Sequence, residues 1–481
     1  MTTDRTGISG AALSRRRVLR IMGAGLGAWA ASPLTRAVSA ATADGPDAPR
    51  RPNVILIMTD DQGYGDVGAH GNPVIRTPNL DRLARESVEV DPFYVCPVCS
   101  PTRASLMTGR WNFRTGVYDT IRATMRTEEV TVAEVLAANG YRTGLFGKWH
   151  LGLAAPCRPM DQGFGESLWF LDGILGEGAD KAVNKNGYFD PVLHHNDTTL
   201  ATTGYCADVF TDAALKFIRD NRQQPFFVYL PFNTPHAPFR VPEKYSKPYE
   251  GIKPEDFPKT ANPRDGVPAT TACAYGMVAN IDENLGRLFK LLEELKLHDD
   301  TIVMFLTDNG PNGNRWDAGL REYKGSPHEG GVRTTFFMRW PRVLKAGRKV
   351  TEIAAHIDVM PTLLEACGIQ APAEAKMDGR SFLALAKGER ADWPNRNLYF
   401  QWHRGKPRRY LGMTMRDHRY KLVSAGKGSF GLTFYTPQTL AQPPVFELYD
   451  LQTDPREEKD IAARHPEIVA RMKADYDRWF D

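Results

Sequence analysis

The chain has 481 residues, 25% of them charged and 42% hydrophobic, the balance of a soluble globular protein too long for one small domain. Its formal net charge of +4 arises at the start: Arg5, Arg15, Arg16, Arg17, Arg20 and Arg36 stand against Asp4 alone in the first forty residues, and the remainder is close to electroneutral. That balance argues against nucleic-acid binding, and six cysteines in a chain of this size do not make a disulfide scaffold.

In chain order, residues 1–40 read as an export signal. "SRRRVLR" (Ser14–Arg20) is followed by a short apolar stretch, Ile21–Leu34, and by small residues, Val38–Ala41, suited to cleavage after Ala40. The order resembles a bacterial twin-arginine (Tat) signal, which implies the Tat export machinery as a partner and a periplasmic or secreted location. Such substrates cross already folded, so disulfides are optional. Residues 41–50 read as a linker. No other segment is long and apolar enough to cross a bilayer, and no stable membrane insertion is expected.

From residue 51 the pattern alternates. "NVILIMTDD" (Asn53–Asp61) is an apolar run ending in two acids, as expected of a strand buried on both faces. Tyr141–His150 ends on Lys148 and His150, Pro225–His236 on His236, and Thr301–Gly310 on Asp308 and Asn309. Helical patterns lie between them at Leu80–Val90, Val130–Asn139, Asp208–Asn221 and Ala272–Leu297. The expected fold is α/β: a large, mostly parallel sheet flanked by helices over residues 51–390. From 391 to 481 the texture changes to short strands separated by turns, closed by a helix over His465–Phe480, and a small α+β subdomain with antiparallel strands is expected. Ligands of open α/β sheets bind beyond the carboxyl ends of the strands, so the polar residues at the four strand ends are expected to converge.

Their chemistry is specific. Asp60, Asp61, Asp308 and Asn309 offer only oxygen, a set for a hard cation such as Ca²⁺ or Mg²⁺ rather than zinc. Arg103, Lys148 and Lys324 are candidates to surround an anion beside that cation, with His150 and His236 as proton carriers. Such charge points to an anionic ester, sulfate or phosphate.

"YVCPVCSPTRASLMTGR" (Tyr94–Arg110) holds two cysteines three residues apart. A zinc site would need a second pair or suitably spaced histidines, and a thioredoxin-like pair would need both sulfurs. The informative spacing instead runs downstream from Cys99 to Pro101, Arg103 and a Leu-Met-Thr-Gly tail, which Cys96 lacks; Cys96 reads as a small packing residue. Here the chain resembles the type I, formylglycine-dependent sulfatases, the arylsulfatase-like group of the alkaline phosphatase superfamily. "CSPTRASLMTG" and "GYRTGLFGKWHLG" are similar to that family's two signatures, and "PFNTPHAPF", "FLTDNG" and "YKGSPHEGGVR" to further blocks in the same order.

The resemblance implies that a formylglycine-generating maturation enzyme oxidises Cys99 to Cα-formylglycine. It also implies one divalent ion, Ca²⁺ ahead of Mg²⁺, held by Asp60, Asp61, Asp308 and Asn309 together with position 99. Arg103 and Lys148 would stabilise the aldehyde hydrate, Lys324 and His236 would hold the sulfate, and His150 would contact the formylglycine hydroxyl. The implied function is an exported sulfatase acting on an aryl sulfate or a sulfated carbohydrate. One hydroxyl of the hydrate attacks sulfur while His236 protonates the leaving group; His150 then deprotonates the other, expelling sulfate. Alternatives are a phosphonate monoester or phosphodiester hydrolase of the same superfamily, and an anion- or metal-binding protein without catalysis. "QWHRGKPRRY" (Gln401–Tyr410) reads first as a solvated loop and second as a wall of the cleft, and "LHHN" (Leu193–Asn196) as a surface turn ahead of a ligand pair.

Overall fold

Every residue of β1 (Asn53–Thr59) is buried, because both faces of the strand are covered. Val54, Leu56 and Met58 pack into one apolar cluster, and Ile55 and Ile57 into another on the opposite side. That two-sided burial is why the run is continuously apolar rather than alternating. The computed structural model of the chain describes residues 51–121, 123–257, 269–313, 315–389, 392–425 and 441–481. The expected export signal and linker, residues 1–50, lie outside the described residues.

Nine further strands join β1 in one sheet. In chain order these are β2 (Val88–Val90), β4 (Arg142–Lys148), β5 (Glu166–Phe170), β6 (Val192–His195), β7 (Thr198–Ala201), β8 (Phe226–Pro231), β9 (Thr301–Thr307), β11 (Phe336–Arg339) and β12 (Lys349–Val350). The order across the sheet is β12-β2-β11-β9-β1-β8-β4-β5-β6-β7. The five central strands, β9-β1-β8-β4-β5, run parallel, while β6, β7 and β11 pair antiparallel. Helices α1 (Pro78–Glu86), α4 (Cys206–Asn221) and α5 (Thr270–Glu294) cover one face; α2 (Cys99–Thr108), α3 (Val132–Ala138) and α6 (Val359–Ala366) cover the other. A reciprocal capping box opens α3, with Glu134 N–H on the Thr131 hydroxyl and Thr131 N–H on the Glu134 carboxylate.

Two sequence expectations are corrected. The helix expected over Leu80–Val90 stops at Glu86. Ser87 is extended, and Val88 and Val90, which continue the apolar spacing on paper, alternate as a buried strand paired with β11. "LHHN" is not a surface turn: Val192–His195 is strand β6, antiparallel to β5 and β7, and only Asn196 begins the turn.

A three-stranded sheet, β10-β3-β13, joins β3 (Phe93–Tyr94), β10 (Arg333–Thr334) and β13 (Ala354–Ala355), and delivers the chain to Cys99. The C-terminal strands β14 (Leu398–Gln401), β15 (Met413–Arg416), β16 (Tyr420–Ser424) and β17 (Glu447–Asp450) form an antiparallel sheet in chain order. Helix α7 (Pro466–Phe480) packs Met472 and Tyr476 on Met413, Met415, Leu422 and Leu448. Both sheets belong to one compact unit, Arg50–Asp481. Among the described residues no helix is long and apolar enough to cross a membrane.

Candidate active site

Strands β9, β1, β8 and β4 are parallel neighbours, so their carboxyl ends open side by side. Asp308 and Asn309 follow β9, Asp60 and Asp61 follow β1, His236 lies beyond β8, and Lys148 ends β4 with His150 two residues on. The two acids after β1, Lys148, Asp308 and Asn309 have no solvent exposure. Helix α2 starts at Cys99 after an extended Val98, which sets the thiol at the positive end of the helix. Arg103, four residues on, shares its face. The residues proposed from sequence therefore share one centre, with Lys324 arriving from a loop between β9 and β10.

Oxygen and nitrogen interleave there. Lys148 Nζ is 2.5 Å from Asp60 Oδ2, and Lys324 Nζ is 2.6 Å from Asp61 Oδ1 and 2.8 Å from Asp61 Oδ2. Arg103 donates to Asp308 Oδ2 at 2.8 Å and to the Lys148 carbonyl at 3.0 Å. Asn309 Nδ2 donates to Asp61 Oδ1 at 2.8 Å, and Asp61 N–H to Asp308 Oδ1 at 3.1 Å. Burial opposes ionisation of Asp60, but Lys148, His236 and Arg103 overcome it and hold the carboxyl below the usual range. Asp61 is likewise held low against its burial by His236 and Lys324. Burial and the Asp60 charge push Asp308 up, with Arg103 opposing.

The histidines are oriented by backbone carbonyls. His150 Nε2 lies 3.1 Å from the Thr120 carbonyl, which can only accept, so Nε2 carries the proton and the Nδ1 lone pair faces Cys99 Sγ at 3.5 Å. Burial, with Lys148 and Arg103 nearby, pushes the His150 pKa down to about 3, so the ring is neutral. His236 Nδ1 donates to the Ala237 carbonyl at 2.5 Å, leaving Nε2 3.5 Å from Asp61 Oδ2 as the nitrogen able to exchange a proton; burial lowers this imidazole too. Asp61 and His150 both adopt left-handed backbone, φ 65° and 58°, a conformation costly for a residue with a Cβ and common at functional sites. Space is scarce: a Cβ at residue 173 would lie 2.4 Å from the His150 ring.

Two buried acceptors, Asp60 Oδ1 and Asn309 Oδ1, have no hydrogen-bond partner. Orphaned oxygens amid three carboxylates and an amide are what a hard divalent cation requires, so the residues present fit such an ion. Cys99 Sγ also lies with Asp60 and Asp308 oxygens within 4.8 Å of one another.

Cys96 and Cys99 are both free and face different groups. Cys96 is buried with Sγ 3.2 Å from His356 Nε2 and 3.5 Å from Asn112 Oδ1, and burial pushes its thiol pKa far up.

Sequence reasoning missed several groups. Arg315 donates to the Asp61 carbonyl at 2.7 Å and to Asp66 Oδ2 at 2.8 Å, pinning the turn that carries Asp61; the third acid of "DDQGYGD" was the available signal. Thr120 orients His150, and it and its neighbour Asp119 are bound by Arg404, whose guanidinium is 2.9 Å from Asp119 Oδ1 and 2.5 Å from Thr120 Oγ1. "QWHRGKPRRY" is thus only partly a solvated loop: Gln401, Trp402 and His403 are buried, while Lys406, Arg408 and Arg409 are exposed. Trp402 also packs on Gly325, beside Lys324.

Known proteins are similar to this chain over most of its length. A family model described as Sulfatase matches residues 52–369, and one described as N-sulphoglucosamine sulphohydrolase, C-terminal, matches residues 324–478. Arylsulfatase A of Homo sapiens is 31% identical over 91% of this chain and 89% of its own length. Steryl-sulfatase of Mus musculus is 30% identical over 89% of this chain and 82% of its own. The solved structure of Ps i-CgsB in complex with k-i-k-neocarrahexaose is similar at a TM-score of 0.73 and 26% identity, covering 89% of this chain and 93% of that one.

Proposed function

The chain belongs to the sulfatase family and is a sulfuric ester hydrolase, and from that membership we propose that it cleaves its ester at the Cys99–His150 centre, with Cys99 matured to Cα-formylglycine and one divalent ion, Ca²⁺ in first place, beside it. The observation that carries this reading is the contact between Cys99 Sγ and the unprotonated Nδ1 of His150, inside a ring of three carboxylates and three fixed cations.

Asp60, Asp61, Asp308 and Asn309 would hold the ion, with position 99 next to them. The ion supplies charge stabilisation to sulfate oxygens. The aldehyde of formylglycine supplies, when hydrated, two hydroxyls on one carbon, one to attack sulfur and one to release sulfate. This chain's own groups do the rest. Arg103, Lys148 and Lys324 balance three carboxylates before any ion arrives, so with a dication the centre becomes positive and attracts an anionic ester. Lys324 and His236 flank Asp61 and would hold sulfate oxygens. His150 Nδ1 would take a proton from an oxygen at position 99, its ring fixed by Thr120. His236 would protonate the leaving alcohol or phenol from Nε2 as the imidazolium, the form that the Asp61 carboxylate 3.5 Å away favours.

The ester itself is read as an aryl sulfate or a sulfated carbohydrate, with Trp402 and Arg404 at the edge of the centre. Export by the twin-arginine route rests on the order of charge, apolar stretch and small residues in Ser14–Ala41; it would let position 99 be modified before the chain leaves the cytoplasm. The matured enzyme should be assayed side by side on 4-nitrophenyl sulfate, a phosphate diester and a phosphonate monoester. Preferred hydrolysis of the sulfate supports the reading, and a clear preference for either phosphorus ester overturns it.

A further inference from the structure

The loop that carries Lys324 is tied at both ends to the C-terminal sheet, at one of them by buried charge. Arg321–Gly331 folds back on itself: Gly330 N–H donates to the Arg321 carbonyl at 2.7 Å and Ser326 N–H to the Tyr323 carbonyl at 3.0 Å. A Cβ at residue 331 would lie 2.1 Å from the Ser326 carbonyl oxygen, so the loop is packed tightly and moves with its base. At that base Glu329, 1% exposed, receives Lys421 Nζ at 2.8 Å and the Tyr94 hydroxyl at 2.9 Å. Lys421 is also 3.0 Å from Glu457, which accepts the Glu329 backbone N–H at 2.7 Å. At the other end Arg321 donates to the Glu457 carbonyl at 3.2 Å and to the Tyr449 hydroxyl.

From this base, backbone bonds reach the rest of the centre. Gly310, next to Asn309, donates to the Gly331 carbonyl at 3.1 Å; Gly325 donates to the Pro97 carbonyl at 2.8 Å, two residues before Cys99. Buried ion pairs give little net stability over apolar residues of the same size, because desolvation offsets their attraction, whereas they do fix register. Lys421 comes from β16 and Glu457 from the segment after β17, outside the large sheet altogether.

We propose that Lys421 and Glu457 are positioning residues for the sulfate group: through Glu329 they set the loop that aims Lys324 at Asp61 and at position 99. The proposal rests on the reading of Lys324 given above. It is tested on the matured enzyme with 4-nitrophenyl sulfate as substrate and inorganic sulfate as competitive inhibitor, normalised to formylglycine content. Lys421→Met is expected to raise KM and the sulfate inhibition constant about ten-fold. Lys421→Met/Glu457→Gln restores the buried net charge and keeps a side-chain oxygen for the Glu329 N–H, so both constants return to within about three-fold of wild type. A merely structural role would lower the yield of folded enzyme and leave both constants unchanged, and that result overturns the proposal. Should Lys421→Met fail to fold, Tyr94→Phe removes only the hydroxyl on Glu329 and is expected to raise the inhibition constant about three-fold; no change there overturns it equally. Lys324→Ala separates the two claims. An unchanged inhibition constant in that variant overturns the role of Lys324 itself, whereas a raised one there with none in Lys421→Met overturns only the clamp.

Discussion

Cys99 and Cys96 are three residues apart and equally buried, yet their surroundings differ in kind. Cys99 opens a helix and faces a neutral imidazole, an arginine and two carboxylates. Cys96 faces His356 and Asn112 in an apolar cluster with Trp111 and Phe400. Cys99→Ala should therefore lower kcat on a sulfate ester by about 10³-fold or more, since a residue acting as nucleophile precursor has no substitute. Cys96→Ala should keep kcat within about three-fold and cost about 1 kcal/mol in thermal unfolding, the loss of a small buried group. Equal loss of activity from both would revive the paired-thiol reading. The lysines are less clean probes: removing Lys148 strands the Asp60 carboxylate without its partner and costs about 3–5 kcal/mol, so lost activity would be mixed with lost fold.

At the scale of elements, the centre depends on close backbone approach between β9's exit and the short helix Glu329–Val332. A Cβ at residue 310 would lie 1.7 Å from the Gly330 carbonyl oxygen. Gly310→Ala must push Asn309 or the Lys324 loop aside, so activity should fall about 100-fold or more with the far-ultraviolet circular dichroism unchanged; wild-type kcat would show that the two segments can part without harm. These elements were unevenly legible in the sequence. The strands β1, β4, β8 and β9 declared themselves because two-sided burial makes an unbroken apolar run, and their polar ends named seven site residues: Asp60, Asp61, Lys148, His150, His236, Asp308 and Asn309. Val88–Val90 did not, because two valines spaced by one residue also extend the apolar face of α1. Arg315, Thr120 and Arg404 were hidden for another reason: they act through backbone carbonyls and loops that only the folded chain brings together.

For the whole molecule, the large sheet supplies acids and histidines, while the C-terminal sheet supplies Trp402, Arg404, Lys421 and Glu457 around the back of the same centre. The proposed cation, held at the orphaned oxygens of Asp60 and Asn309, would be part of the folded state. Chelation should then lower the melting temperature, and Ca²⁺ at about 100 times its Kd should restore about 2.7 kcal/mol. A melting temperature indifferent to both would remove the metal from the account. The most direct measurement is the mass of the peptide carrying residue 99, taken from active enzyme co-expressed with a formylglycine-generating enzyme and set beside its turnover of 4-nitrophenyl sulfate. Conversion makes the peptide about 18 Da lighter, and turnover is expected to rise in proportion to that lighter fraction. Full sulfate-ester hydrolysis by a chain whose Cys99 remains an unmodified thiol would contradict the account.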